Sequence, residues 1–162
     1  MNGLDRHHPA AEAYYIIRAN VDFASKSDDP VRSVLVTGPG PGEGKSTIAS
    51  NLAVAFANEG NSVIIVDTDL RRPVQHLLFR GDHPNERGVT DVLNGGVTLD
   101  DALPTTGLDG LKILSAGTLD EDPDRLLRSK PFEEMKTRLA EMADVVVYDS
   151  PPVLVVSDPL LL

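Results

Sequence analysis

The sequence predicts an α/β fold, a doubly wound and mainly parallel sheet with helices on both faces. Three observations carry this. Short β-branched runs alternate with longer segments of helical period. The runs Val63-Ile64-Ile65-Val66 and Val145-Val146-Val147 are apolar without alternation, as strands covered on both faces must be. Three runs end in a polar group suited to ligands: Thr37 before a glycine-rich loop, Asp67, and Asp149. In an open parallel sheet the carboxyl ends of the strands share one edge, and ligands bind there.

From Pro9 to Ala24 the chain reads as a helix, with Tyr14, Ile17, Val21 and Ala24 forming one apolar stripe. Ser25 to Pro30 is a polar breaker, which divides residues 1–30, a helix and linker, from the α/β unit of residues 31–162. Ser33 to Thr37 reads as a short buried strand. Lys45 to Asn58 reads as a helix with Ile48, Leu52, Ala55 and Phe56 inward, stopped at Gly60. Ser62 to Asp67 is the second strand. Pro73 to Gly110 is a variable stretch with short helical turns, and Thr98 to Asp101 has the form of a capping box with Asp in place of Glu. Leu111 to Ser115 is the third strand. Ser129 to Met142 is an amphipathic helix with Phe132, Met135, Leu139 and Met142 on one side. Asp144 to Asp149 is the fourth strand. Ser157 before an acid and a proline starts a further helix, so the fold is expected to be truncated at its C-terminus.

The 162 residues suffice for one domain with a real core. Without cysteine there is neither a disulfide framework nor a thiolate zinc site. No apolar run approaches the ~20 residues that span a bilayer, and the opening MNGLDRHHPA has no apolar signal region. A net charge of -10 argues against general nucleic-acid binding, which needs a basic footprint. An acidic chain that binds a polyanion must do so locally, with backbone N–H groups, a few cations and a metal ion.

The stretch VTGPGPGEGKST, residues 36–47, supplies such a place. Its four glycines leave backbone N–H groups unshielded, and the helix that follows adds its N-terminal dipole. Lys45 can reach the β- and γ-phosphates of a nucleotide, and the Ser46 hydroxyl can bind Mg²⁺. The pattern G-x-x-x-x-G-K-[ST] would place glycine at position 39, where this chain has Pro39 with Gly38 one place early, so the loop is a variant. A plain strand–turn–helix junction would call for one or two glycines, not four before Gly-Lys-Ser-Thr.

Asp67, Asp69 and Asp149 offer carboxylates to Mg²⁺, which favours oxygen ligands in octahedral array. Taken alone, Asp67 and Asp149 read equally well as turn residues; beside the loop, three independent features coincide. Arg71-Arg72-Pro73 reads either as a solvated pair before a helix start or as a source of charge neutralisation, with no sign of which arginine acts.

On these residues the chain resembles the catalytic domain of the bacterial protein-tyrosine kinases of capsule and exopolysaccharide synthesis, a branch of the deviant P-loop ATPases. Residues Thr37 to Thr47 match the Walker A loop, Val66 to Pro73 the family's second motif, Walker A′, and Val147 to Pro152 Walker B. Weaker echoes lie at Gly88 to Gly95, Leu114 to Gly117 and Asp122 to Leu127. The resemblance implies a P-loop NTPase fold and a kinase domain over residues 31–162. It implies ATP held by Gly40, Pro41, Gly42, Glu43, Gly44, Lys45, Ser46 and Thr47 with Asp149. It implies Mg²⁺ on Ser46, Asp69 and Asp149, and Asp67 as acceptor of a tyrosine proton, with Lys45, Asp69, Arg71 and Arg72 serving the transfer. It further implies a protein-tyrosine acceptor (a C-terminal tail of a second copy, or another protein), a membrane adaptor, a homo-oligomer, and a cytoplasmic place at the inner membrane face, reached through a partner or a fused segment.

Departures bear on these expectations. The family's Glu-x-x-Arg-x-x-Arg ring motif falls on Glu12, Tyr15 and Arg18, so its middle arginine is lost. The tyrosine tail is absent from residues 1–162. Tyr148 falls in a core strand, and Tyr14 and Tyr15 read as packed and half-exposed aromatics rather than phosphosites. One rival reading is a partitioning or cell-division ATPase that transfers phosphate to water; its signature lysine would fall at Gly40. Another is a non-catalytic nucleotide-binding regulatory fragment. His7, His8, His76 and His83 are assigned no role.

Overall fold

The computed structural model describes residues 9–24, 30–79, 85–120 and 122–152, with the backbone alone for Pro9 and Ala10. Along them run α1 (Pro9–Ala24), β1 (Ser33–Val36), α2 (Lys45–Asn58), β2 (Val63–Asp67), α3 (Gln75–Leu78), α4 (Val89–Leu93), β3 (Leu111–Leu114), α5 (Pro123–Leu127), α6 (Lys130–Met142) and β4 (Val145–Asp149). The four strands form one sheet in the order β1-β4-β2-β3, and every pairing is parallel.

Period-2 alternation divides the core between the two faces of this sheet. Ile64, Val66, Leu114, Val146 and Tyr148 pack with Phe132, Met135 and Leu139 of α6, and with Leu126 and Leu127 of α5. Val63, Ile65, Ile113, Val145 and Val147 pack on the other face against Ala49, Leu52, Ala53 and Phe56 of α2. Both faces are thus covered by helices, which makes the sheet doubly wound. Each fully buried Leu, Ile or Phe contributes on the order of 1.5–3 kcal/mol.

The helices start for different reasons. Ser129 caps α6 by accepting the Phe132 N–H, and Asp122 caps α5 by accepting the Arg125 N–H; each helix has a proline in its first turn. α2 has no side-chain cap. Its N-cap is Gly44, held at φ 81° in the left-handed region. The first N–H groups of α2 are therefore left uncapped by side chains, at the carboxyl edge of the sheet.

Several expectations need correction. Ile17 is 40 % exposed and Ala24 is exposed. The inward side of α1 is instead Ala11, Tyr14, Tyr15, Arg18 and Val21, turned toward α2 by the Asn58 amide donating to the Tyr15 hydroxyl and by Arg18 pairing with Glu59 at the end of α2, while Arg18 also pairs with Asp22 within α1. Ile48 is 37 % exposed. The buried stripe of α2 passes through Ala49, and Ile48 stands about 100° around the helix from it. Strands buried on both faces describe β2 and β4, whereas β1, at the sheet edge, alternates exposed Ser33 and Leu35 with half-buried Val34 and Val36. Thr98 accepts the Asp101 N–H but gives its hydroxyl to the Asp101 carboxylate, so half of the box forms and closes a single turn. The helix α5 was not expected. The helix start at Ser157, with His7, His8 and His83, lies outside the described residues.

Candidate nucleotide-binding and phosphoryl-transfer site

The loop from Thr37 to Lys45 closes on itself at two points and is tied to the chain after β4 at a third. The Lys45 ammonium donates to the Gly40 carbonyl at 2.7 Å, and the Gly40 N–H donates to the Glu43 carboxylate at 3.1 Å. Thr37 donates its hydroxyl to the Pro151 carbonyl at 3.1 Å. Ser150 returns the tie, its N–H donating to the Val36 carbonyl. The chain after β4 thus pins the junction between β1 and the loop. Gly42 and Gly44 have φ of 76° and 81°, where a side chain would be strained. A Cβ at Gly38 would meet the Glu43 carboxylate at 2.8 Å.

Strand order brings the acidic ends beside this loop. In register, Asp149 stands between Val36 of β1 and Asp67 of β2. Both aspartates are 0 % exposed. Asp67 accepts three backbone N–H groups: Val74 at 3.0 Å, Gln75 at 2.9 Å and Asp69 at 3.2 Å. Burial, with the neighbouring Asp149 charge, pushes its carboxyl up to about 8, against the pull of the Gln75 and Val74 N–H groups. Burial also raises Asp149; the Gln75 amide and the Ser46 hydroxyl oppose the rise, Asp69 adds to it and Lys45 reduces it.

Of the other expected residues, Asp69 is half-buried, acts on both carboxylates by charge, and spends one oxygen on the Arg72 N–H at 2.9 Å. Arg71 turns to α5, where it pairs with Asp124 at 3.2 Å. The Arg72 side chain is exposed, as are Pro41, Gly42, Glu43 and Thr47. Lys45, Ser46, Asp67 and Asp149 are thus drawn together, with Asp69 beside them, while the two arginines stand at the rim.

The donor set fits Mg²⁺. The Asp149 Oδ1 is buried and has no hydrogen-bond partner among the described residues. A bound cation would satisfy such an orphaned carboxylate oxygen. No cluster of three or more His, Cys, Asp or Glu among the described residues could hold a metal unaided. That suits an ion bound by one or two carboxylates, a hydroxyl, water and substrate phosphates.

Three residues of the site escaped the sequence reading. Gln75 is wholly buried between the motifs, and Thr68 and Ser150 lock β2 and β1 to the end of β4. Thr68 and Ser150 lay inside the motifs quoted, but nothing in their type marked a role. Gln75 gave one faint signal, a polar residue two places after the Arg-Arg-Pro run.

Comparison with known proteins agrees with this geometry. Residues 34–149 match the family described as CbiA: CobQ/CobB/MinD/ParA nucleotide binding domain. The tyrosine-protein kinase YwqD of Bacillus subtilis is 39% identical over 152 residues, an overlap of 94% of this chain and 63% of that protein. This chain therefore spans less than two thirds of that relative's length. The crystal structure of the chimerical protein CapA2B2 superposes with a TM-score of 0.92 at 37% identity, covering 98% of this chain and 68% of that one. The septum site-determining protein MinD of Pyrococcus horikoshii, complexed with Mg-ADP, gives a TM-score of 0.65 at 29% identity over 75% of this chain and 49% of that one. The chain belongs to the CobQ/CobB/MinD/ParA nucleotide-binding family and, within it, to the branch of the bacterial tyrosine-protein kinases.

Proposed function

We propose that the chain is the ATP-binding part of a protein-tyrosine kinase that regulates exopolysaccharide or capsule synthesis and export. The observation that carries the reading is the pair of buried carboxylates, Asp67 and Asp149, set side by side next to Lys45 and the glycine loop. The names of relatives such as YwqD supply the acceptor, a tyrosine.

In this reading Gly40 to Thr47 cradle the phosphates, and Lys45 leaves the Gly40 carbonyl to meet the β- and γ-phosphates. Ser46, Asp69 and Asp149 would hold Mg²⁺, and Arg71 and Arg72 would neutralise charge from the rim. The tyrosine oxygen attacks the γ-phosphorus, the bond to the β–γ bridging oxygen breaks, and ADP leaves. Asp67 takes the tyrosine proton. Bound Mg²⁺ would offset charge on the phosphates and ease the ionisation of the two buried aspartates. The acceptor tyrosine lies on another protein or on the tail of a second copy, and a membrane adaptor brings the kinase to the inner face of the cell membrane. No described helix is long and apolar enough to cross a membrane.

The likeness to MinD supports a second reading, with water as acceptor. Gly40, where that group's signature lysine would fall, speaks against it. The test is a γ-labelled ATP assay with Mg²⁺ that offers water and a tyrosine-rich peptide together to the full-length protein. Label on tyrosine, lost in Lys45→Met and Asp67→Ala, is the expected result. Free phosphate alone would replace the kinase by a hydrolase.

A further inference from the structure

Gln75 is hydrogen-bonded to every part of the site. It is the first residue of α3 and is 0 % exposed. Its Nε2 donates to the Asp149 carboxylate at 2.8 Å and to the Ser46 carbonyl at 3.0 Å. Its Oε1 accepts the Ser50 hydroxyl at 2.9 Å. Its backbone N–H donates to Asp67 at 2.9 Å. One side chain and its own amide thus join the helix after the glycine loop, the end of β2 and the end of β4.

The consequence lies in which oxygens remain free. An amide NH₂ has two donors, and both are spent. The Gln75 amide occupies Asp149 Oδ2 and leaves Oδ1, buried and without a partner among the described residues. Ser46 is held by its carbonyl, which leaves its hydroxyl to turn toward Asp149 and a cation. Partners of this kind behind a metal-binding group fix its orientation, and their loss typically lowers metal affinity about 10–100-fold.

We propose that Gln75 is a positioning residue for the cation site: it sets the rotamer of Asp149 and the distance between Asp149 and Ser46. The inference rests on the nucleotide reading above and deepens it. Gln75 touches neither nucleotide nor acceptor. It acts through Asp149 and Ser46, so its removal changes the Mg²⁺ requirement rather than the affinity for metal-free nucleotide.

The test is a titration of Mg²⁺ against binding of a fluorescent ATP analogue to the full chain, with no turnover measured. Gln75→Met keeps the length and removes every side-chain hydrogen bond. Gln75→Leu likewise removes the donors to Asp149 and Ser46 with a branched apolar side chain, and serves where the methionine variant does not fold. Expected are half-saturating Mg²⁺ concentrations about tenfold higher in the Gln75 variants, and metal-free nucleotide affinity within about twofold of the parent. A parental Mg²⁺ requirement in both Gln75 variants, or an equal loss of metal-free nucleotide affinity, would overturn the inference and leave the functional reading standing. A parent that binds nucleotide at no Mg²⁺ concentration would overturn both.

Discussion

Asp67 and Asp149 face each other as register partners on adjacent parallel strands, both wholly removed from solvent. Two carboxylates so placed resist ionising together. The folded protein holds the Asp67 proton up to about 8, whereas the unfolded chain releases it near its ordinary value of 3.8. Between those values the unfolded state binds fewer protons than the folded one, so stability falls as pH rises and levels off above about 8. Metal-free protein is therefore expected to lose melting temperature steadily from pH 5 to about pH 8. Asp67→Asn removes the titrating group and flattens that slope. Thermal melts of both proteins across this range without divalent ions are the measurement; parallel slopes would refute the coupling.

Among the described glycines, Gly88 lies closest to neighbouring main chain. A Cβ there would meet the Ser115 carbonyl oxygen at 2.2 Å and the Gly117 nitrogen at 2.3 Å. Both are main-chain atoms of the segment that leaves β3, held to this turn by Val89 and Thr90 N–H bonds to the Ser115 and Ala116 carbonyls. A rotamer change cannot relieve such a clash. Gly88→Ala is expected to cost about 3 kcal/mol, at the upper end of overpacking effects, by urea denaturation. Gly96→Ala, whose nearest neighbour would be at 3.4 Å, is its control and should cost far less.

The loop itself yields to a double-mutant cycle. The Gly38 Cβ position is closed by the Glu43 carboxylate, which also accepts the Gly40 N–H. Gly38→Ala should push Glu43 aside and weaken nucleotide binding. In a Glu43→Ala background the same change meets less resistance, although the Lys45 stem remains at 3.3 Å. The two effects should be non-additive by about 0.5–3 kcal/mol, as for residues in contact. Additive losses would mean that Glu43 does not staple the loop.

Much of this was legible in the sequence, and the failures share a cause. The bounds of α1 and α2 followed from periodicity and from the breakers after them, and β2 and β4 from unbroken β-branched runs. The convergence of Lys45, Asp67 and Asp149 followed from the parallel-sheet rule without knowledge of strand order. What periodicity could not supply was rotation and edge position. Ile17 and Ile48 lie beside their buried stripes, and whether a residue at the margin is covered depends on how the neighbouring element is turned. Leu35 reads as core by type and is exposed because β1 is an edge strand. Gln75 stayed hidden for another reason: its meaning lies in partners 25, 29 and 74 residues away, and a glutamine's type does not announce them.

The helix α6 covers one face of the sheet, and the Ser129 hydroxyl caps its start. Ser129 accepts the Phe132 N–H at 3.3 Å and donates to the Leu126 carbonyl, so it joins the end of α5 to the first turn of α6. Phe132, wholly buried three residues on, needs that turn in place to reach the core. Ser129→Ala should cost about 1 kcal/mol, as lost N-caps do, and lower the melting temperature by roughly 2–4 °C for a chain of this size. Ser129→Asp restores the acceptor and adds favourable charge at the helix start, but it cannot donate to Leu126. It should recover most of the loss. Phe132→Ala removes the packing that the cap serves and should cost about 3–5 kcal/mol. If the cap matters mainly by delivering Phe132, then removing Ser129 in the Phe132→Ala background will cost less than it does alone. Equal costs in both backgrounds would make the cap a local feature of α6 with no hold on the core.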